Sequence, residues 1–296
     1  MITEGQFALP LDPAAFAFPR IPPRQQLLKW VGNKQRFAAA IANEFPGSYR
    51  RYYEPFVGTG AVLAAMSPHE AVASDVLEPL IQFWHLVQTD PEALGDHYAR
   101  SWADLTERGR EAYDEFLKSF NDAPNPYDLF VLSRACYGGV VRFTRKMKMS
   151  TPMGPHRPVP PASVRARLAM WNARVGGTTF VVRDFRETMA QAGARDVVYC
   201  DPPYVHSQSI LYGAQSFRVA DLWSAVESAK ARGAFVAVSM DGYRQSGARQ
   251  FNLDLPEGLF ARELLIDRGG CMLRRFQVPG GDMAKEQVSD RLLLTD

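Results

Sequence analysis

Short apolar runs rich in valine and aromatic residues, each stopped by glycine or an acid, set the rhythm of the chain. Arg51–Phe56 reads as a strand entering the turn Val57-Gly58-Thr59-Gly60, with Ala61–Met66 as the helix after it. Ala71–Ser74 is a second strand, ending at Asp75, and a helix follows through about Gln88. Strand, glycine turn, helix, strand, acid is the first half of a nucleotide-binding α/β unit. Past Trp171 the rhythm returns: Thr179–Val182 ends at Asp184, and Asp196–Cys200 ends at Asp201. Leu222–Ala231 is patterned as a helix, with Trp223 in the core, and Ala234–Ser239 as a buried strand. Leu259–Ile266 and Val288–Leu294 suit a closing antiparallel pair. Nearer the start, residues 34–45 read as a helix stopped by Pro46-Gly47, and the Pro- and Ala-rich residues 1–25 as an irregular lead-in.

Between the two α/β stretches lies an insert of different character. Residues 91–136 look helical, with a linker at Asn121–Pro126. Gly138 to Gly154 alternates like a hairpin, Val140-Arg142-Thr144 against Lys148-Ser150, and Pro152–Pro161 reads as a loop. The chain thus divides into 1–84, an insert at 85–170, and 171–296. At 296 residues and 46% hydrophobic, it can bury a large core unaided. No apolar run approaches the ~20 residues of a membrane span. The first twenty residues lack the basic-then-apolar order of a signal peptide. Three cysteines, Cys136, Cys200 and Cys271, form no CxxC pair, so a reducing cytoplasm is the expected location. His69, His85, His97, His156 and His206 show no ligand spacing, and no metal is expected.

The net charge of +2 changes the picture only when mapped. From Leu129 to Arg183 there are ten bases and no acid; the rest of the chain holds 24 bases against 32 acids. An acidic body with one basic segment suggests a polyanionic partner, and a solvated basic face is the alternative. Tyr137, Phe143 and Trp171 interleave with the bases, which suits nucleic acid.

Two constellations carry chemistry. In Phe56-Val57-Gly58-Thr59-Gly60 the glycines let a ligand lie against the backbone where a helix offers free N–H groups, while Leu63 removes the third glycine of the dinucleotide motif. Asp75, ending the next strand, can accept both hydroxyls of a ribose, or cap a helix. Asp201-Pro202-Pro203-Tyr204 follows the apolar strand Val197–Cys200 directly. Its prolines end the ladder and stiffen a loop at the sheet's carboxyl edge. There Asp201 and the Pro202 carbonyl can accept the two N–H bonds of an exocyclic amine, and Tyr204 offers a face for stacking a base.

These residues resemble the Dam-like class of S-adenosylmethionine-dependent DNA adenine-N6 methyltransferases. Leu28-Lys29-Trp30-Val31-Gly32-Asn33-Lys34 is similar to the family's amino-terminal segment, and Glu54–Gly60 to its cofactor loop. Ser74-Asp75 matches its ribose acid, Arg183-Asp184-Phe185 the element beside the cofactor adenine, and Asp201–Tyr204 its catalytic tetrapeptide. Tyr137–Phe143 resembles the hairpin that enters DNA beside the target, with Arg142 at a base-reading position and Pro152 on a later proline. Gly138 and Thr144 replace two asparagines of that pattern, and Asn33 a glycine. A glycine cannot wedge into stacked bases, which leaves Tyr137 for that role.

The resemblance implies a Rossmann-like α/β methyltransferase sheet with helices on both faces, plus a mainly helical target-recognition insert containing a β-hairpin. It implies S-adenosylmethionine bound by Trp30, Lys34, Phe56, Gly58, Gly60, Asp75, Asp184 and Asp201. Catalysis falls to Asp201, Pro202, Pro203 and Tyr204, and DNA contact to Lys29, Tyr137, Arg142, Arg145, Lys146, Lys148 and Pro152. The expected substrate is an adenine flipped from duplex DNA by a monomer or weak dimer, alone or beside a cognate restriction endonuclease. Cytosine-N4 methylation, by the same loop, and an inactive DNA-binding module on the same fold are the alternatives. Cytosine-C5 chemistry is disfavoured, because no cysteine follows a proline.

Overall fold

The structure, a computed structural model, describes residues 20–30, 32–144, 146–203, 217–244, 255–270 and 287–296. Residues 1–19 of the lead-in, Arg145, Tyr204, His206 and Cys271 lie outside the described residues.

Seven strands form one sheet in the order β3-β2-β1-β4-β5-β7-β6. They are β1 (Tyr52–Glu54), β2 (Ala71–Asp75), β3 (Thr178–Val182), β4 (Val197–Cys200), β5 (Phe235–Arg244), β6 (Arg262–Gly270) and β7 (Gln287–Leu294). The first five are parallel, and β7 runs antiparallel between β5 and β6, so the closing pair is as expected. The chain winds outward from β1 to β3, returns to lay β4 beside β1, then winds the other way. That reversal leaves the carboxyl ends of β1 and β4 adjacent, the crevice where open α/β sheets bind ligands.

Strand side chains alternate between two cores. Tyr52, Val197, Tyr199, Phe235, Ala237, Leu292 and Leu294 face one apolar cluster; Tyr53, Val198, Cys200, Val236, Val238 and Leu293 face the other. This period of two explains why β4 and β5 read as unbroken apolar runs: both faces are covered. The first cluster is covered by α1 (Ala38–Asn43), α2 (Ala61–Met66), α3 (Glu78–Thr89), α4 (Pro91–Glu107), α5 (Arg110–Asp122), α6 (Pro126–Ala135) and α7 (Pro161–Val175). The second is covered by α8 (Phe185–Met189) and α9 (Val219–Ala231), with Trp223 buried there as expected.

Several boundaries move for physical reasons. The helix expected over 34–45 begins only at Ala38, because the chain first makes a tighter turn from Lys34 to Phe37. Arg108-Gly109 breaks the first insert helix, since Gly109 takes φ +57. Helix α7 begins at the last residue of the loop expected over Pro152–Pro161, and Pro161 starts it at a position needing no N–H partner. The divisions at 84/85 and 170/171 fall inside α3 and α7, and the insert helices share one apolar cluster with the sheet. The hairpin exists as a backbone trace with the bridges Cys136↔Met153 and Phe143↔Met149 rather than a regular ladder.

The basic segment divides into two populations. Arg134 is buried and donates to the carbonyls of Gln26 and Leu27, Arg167 donates to Gln26, and Arg165 pairs with Glu92 and Asp96. Trp171 is fully buried, its indole N–H donating to the Gln25 carbonyl, and Phe143 is core. The expectation that Phe143 and Trp171 face nucleic acid is therefore corrected. Both were drawn inward because large aromatic surfaces dominate core burial.

Gly177 leads α7 into β3, and a Cβ there would press on the carbonyl oxygens of Pro68 and His69. Gly177→Ala is expected to destabilise the fold by about 1–3 kcal/mol, read from urea denaturation midpoints at unchanged m.

Candidate active site

Each half of the site stands at the end of a parallel strand. After β1 the chain turns through Gly58 (φ +45) and Gly60 (φ +61), left-handed conformations that favour glycine. Gly60 is the residue before α2, and a Cβ on it would stand 3.0 Å from Trp84 Cζ2. A Cβ on Gly58 would have only the Phe56 carbonyl oxygen, at 3.9 Å, within reach, so the loop presents bare backbone there. The Trp84 indole N–H donates to the Gly58 carbonyl at 3.0 Å and holds the turn from behind. Asp75, ending β2, is buried; it accepts from the Gly58 N–H (3.3 Å) and the Leu77 N–H (3.1 Å). Strand pairing thus joins the glycine turn to the expected ribose acid.

After β4 comes Asp201-Pro202-Pro203. Lys34, only 3% exposed, places its ammonium 2.6 Å from Asp201 Oδ1 and 3.0 Å from the Gly32 carbonyl. Asp290 on β7 lies 3.8 Å from the same ammonium. The amino-terminal segment therefore closes over the Asp-Pro-Pro loop, with the buried Trp30 in it. Lys34 was expected at the cofactor's methionine end; its ion pair with Asp201 had no signal in sequence, because 167 residues separate them.

Sequence reasoning also missed Glu54, the last residue of β1. It is buried, and Tyr52 donates its hydroxyl to Oε2 at 2.6 Å. Burial foremost, with the charge of Asp201, pushes its carboxyl up to about 8, against the hydrogen bonds from Tyr52 and Leu63. Its place before Pro55 in the glycine motif was the available signal. The Tyr199 hydroxyl lies 2.9 Å from Ser239 Oγ beneath the same edge.

At the third strand end, Asp184 caps α8 by accepting from the Arg186 N–H (2.9 Å) and also takes Arg186 Nε at 2.8 Å. Partial burial opposes ionisation, but Arg186 outweighs it and holds the carboxyl below its usual range. Phe185 stacks on Phe56 with ring centroids 5.1 Å apart, and Phe217 closes the aromatic wall at 6.0 Å from Phe56.

The DNA-facing candidates lie apart from these strand ends. Arg142, Lys146, Lys148 and Pro152 are exposed, and Tyr137 is 38% exposed. Lys148 donates to the Asn121 carbonyl. Lys29 is half-buried with its stem against Gly139; burial first, then the charge of Arg134, lowers its pKa. No group of three metal-ligating side chains occurs among the described residues.

An open, mostly parallel sheet with a glycine turn, a strand-end acid and an Asp-Pro-Pro loop on one edge defines a Rossmann-like methyltransferase. The chain belongs to the D12 class of N6 adenine-specific DNA methyltransferases, whose family profile matches residues 30–222. Its activity is accordingly methylation of adenine in DNA, which sets aside the cytosine-N4 and inactive-module alternatives. It is 27% identical over 228 residues to the DNA adenine methylase of Vibrio cholerae serotype O1, covering 73% of this chain and 81% of that protein. It is 30% identical over 205 residues to the DNA adenine methylase of Serratia marcescens, covering 66% and 73%. Among solved structures, the rRNA methyltransferase aviRa from Streptomyces viridochromogenes aligns over 88% of this chain and 84% of that one. That alignment has 16% identity and a TM-score of 0.35, too distant a likeness to bear on function.

Glu54 generates a pH prediction. It ionises near 8 when folded and near 4.5 when free, so across that window only the folded chain holds the proton. Stability then falls as pH rises through the window, by about 1.4 kcal/mol per pH unit at most. Glu54→Gln is expected to flatten this dependence in denaturation curves between pH 5 and 8; an unchanged slope would assign it to another group.

Proposed function

We propose that the strand-end cleft binds S-adenosylmethionine and a flipped adenine, and that the exposed hairpin grips duplex DNA. The observation that carries this is the Asp201 carboxylate, held by Lys34 at 2.6 Å beside the bare glycine turn of the adjacent strand.

The residues present suit the cofactor. Bare backbone at Gly58 leaves room for it, Asp75 is fixed beside the turn, and Phe56 with Phe185 forms an apolar wall. Phe56, Gly58 and Gly60 would cradle it, Asp75 hold the ribose hydroxyls, and Asp184 the adenine amine, alongside its cap of α8. Trp30, Lys34 and Asp201 would close the other end. When bound, S-adenosylmethionine supplies an electrophilic methyl group.

The chain's own residues then have to position an amine. Adenine N6 lies inside the duplex, so the base must leave the stack, at a cost of a few kcal/mol. Stacking on Tyr204 would return about 1–3 kcal/mol. Asp201 accepts one N–H of the amine and the Pro202 carbonyl the other, while Pro203 stiffens the loop, which aims the nitrogen lone pair. Lys34 donates to Asp201 Oδ1 and fixes its rotamer, so the carboxylate is oriented as an acceptor. Positioning of this kind supplies much of a rate enhancement without a covalent intermediate. Cys136 and Cys200 are no nucleophiles: burial pushes Cys136 up to about 12 and Cys200 higher still, leaving no thiolate at neutral pH.

On the DNA side, Arg142, Arg145, Lys146 and Lys148 would meet the duplex, with Lys29, Tyr137 and Pro152 at the root of the hairpin. The helical insert between β2 and β3 would set the target site.

Transfer of labelled methyl from S-adenosylmethionine to DNA tests the reading. Asp201→Ala is expected to lose at least about 10²-fold in turnover with nearly unchanged DNA affinity, because its contact matters most in the transition state. Equal loss of binding and turnover would remove Asp201 from the catalytic loop's role.

Arg142→Ala is expected to lose about 1–3 kcal/mol of discrimination between the preferred site and random DNA, the worth of one bidentate arginine–guanine contact. A uniform loss on both DNAs would make Arg142 a phosphate contact.

A further inference from the structure

The hairpin tip combines two features that water does not favour. Met147 is 47% exposed, an apolar side chain between the exposed Lys146 and Lys148. Its backbone also sits at φ +56, a left-handed conformation that glycine adopts freely and an unbranched side chain does not. A glycine there would relieve strain and remove exposed apolar surface together. The side chain is kept against both costs, and strain of this kind concentrates at functional points.

The tip is also held rigidly. Thr144 and Lys148 close it through a 2.8 Å backbone bond, Met147 N–H returns to the Thr144 carbonyl at 2.9 Å, and Thr144 Oγ1 accepts from Lys146 and Lys148 N–H groups. Its outer limb is clamped to the end of α5. Asn121 accepts from the Met149 N–H at 2.7 Å and donates to the Met149 carbonyl at 2.9 Å, as a neighbouring strand would, while the Lys148 ammonium reaches the Asn121 carbonyl. A methionine is thereby presented on a fixed mount. Nothing in the core needs it.

Between Met147 and Pro152 the returning limb has five steps, at most about 17 Å of extended chain. That equals the rise of roughly five base pairs. The tip can therefore reach as far as about five base pairs from the hairpin root.

Resting on the duplex-DNA reading of the hairpin, we propose that Met147 is a second base-contacting point, packing against thymine C5-methyl groups flanking the target while Lys146 pairs with phosphate. Major-groove thymine methyls are the apolar features that DNA offers a side chain, and the flexible, polarizable thioether suits an irregular apolar surface.

The test uses the full-length enzyme and DNA whose positions flanking the methylated site are randomised, with methylated products sequenced. The parent is expected to prefer thymine at one flanking offset by about fourfold, the factor that burial of a single methyl group carries. Met147→Gly is expected to abolish the preference while melting no lower than the parent, and Met147→Leu to keep it. Replacing the flanking thymine by deoxyuridine, which lacks the methyl group, should bring the parent to the level of Met147→Gly and leave that variant unmoved. A parent indifferent to flanking bases, or a preference that survives Met147→Gly, would overturn the proposal while leaving adenine methylation standing. Absence of any methylation would instead overturn the reading of the catalytic cleft.

Discussion

A buried ammonium must have an anion, because desolvating an unpaired cation costs several kcal/mol. Lys34 is 3% exposed, and its nearest anion is Asp201 of the Asp-Pro-Pro loop, with Asp290 beyond it at 3.8 Å. Satisfying that one pair requires residues 27–34 to fold across the carboxyl edge of the sheet. It also requires β4 to end level with β1, since the glycine turn and the Asp-Pro-Pro loop share the crevice between them. Sheet order, the placement of the amino-terminal segment and the glycine turn are thus aspects of one arrangement.

That segment does not hold itself. Arg134 on α6 and Arg167 on α7 donate to the Gln26 and Leu27 carbonyls, and Trp171 on α7 donates to Gln25. The insert between β2 and β3 therefore anchors the chain that carries Lys34 to Asp201. Side chains of α6 and α7 thus hold the segment that pairs Lys34 with Asp201 through a few backbone carbonyls. The acid-free stretch of sequence divides in two: Arg134 and Arg167 turn inward to hold this segment, while Arg142, Lys146 and Lys148 of the hairpin remain exposed.

The alternating strands, the glycine turn, the strand-end acids and the Asp-Pro-Pro motif were legible in the residues because they depend on local properties. A period of two gives a two-faced strand, left-handed turns favour glycine, and paired prolines stop a ladder. The antiparallel pair at the end was legible as well, whereas the order of the strands in the sheet came from the structure. Less legible were α7, whose polar and apolar positions are weakly separated, and the hairpin, whose pairing rests on two bridges and an asparagine from α5.

The sequence by itself determined which residues have the chemistry for amine methylation and on which strand ends they sit, since motif and strand are contiguous in the chain. Only the tertiary structure decided which distant groups meet. It paired Lys34 with Asp201, put Glu54 in a setting that keeps its proton near neutral pH, turned Arg134 and Arg167 toward backbone carbonyls, and left Met147 exposed at the hairpin tip. The reason is that burial and charge partners are properties of packing. A basic residue looks the same in sequence whether its neighbour is a phosphate or a carbonyl a hundred residues away.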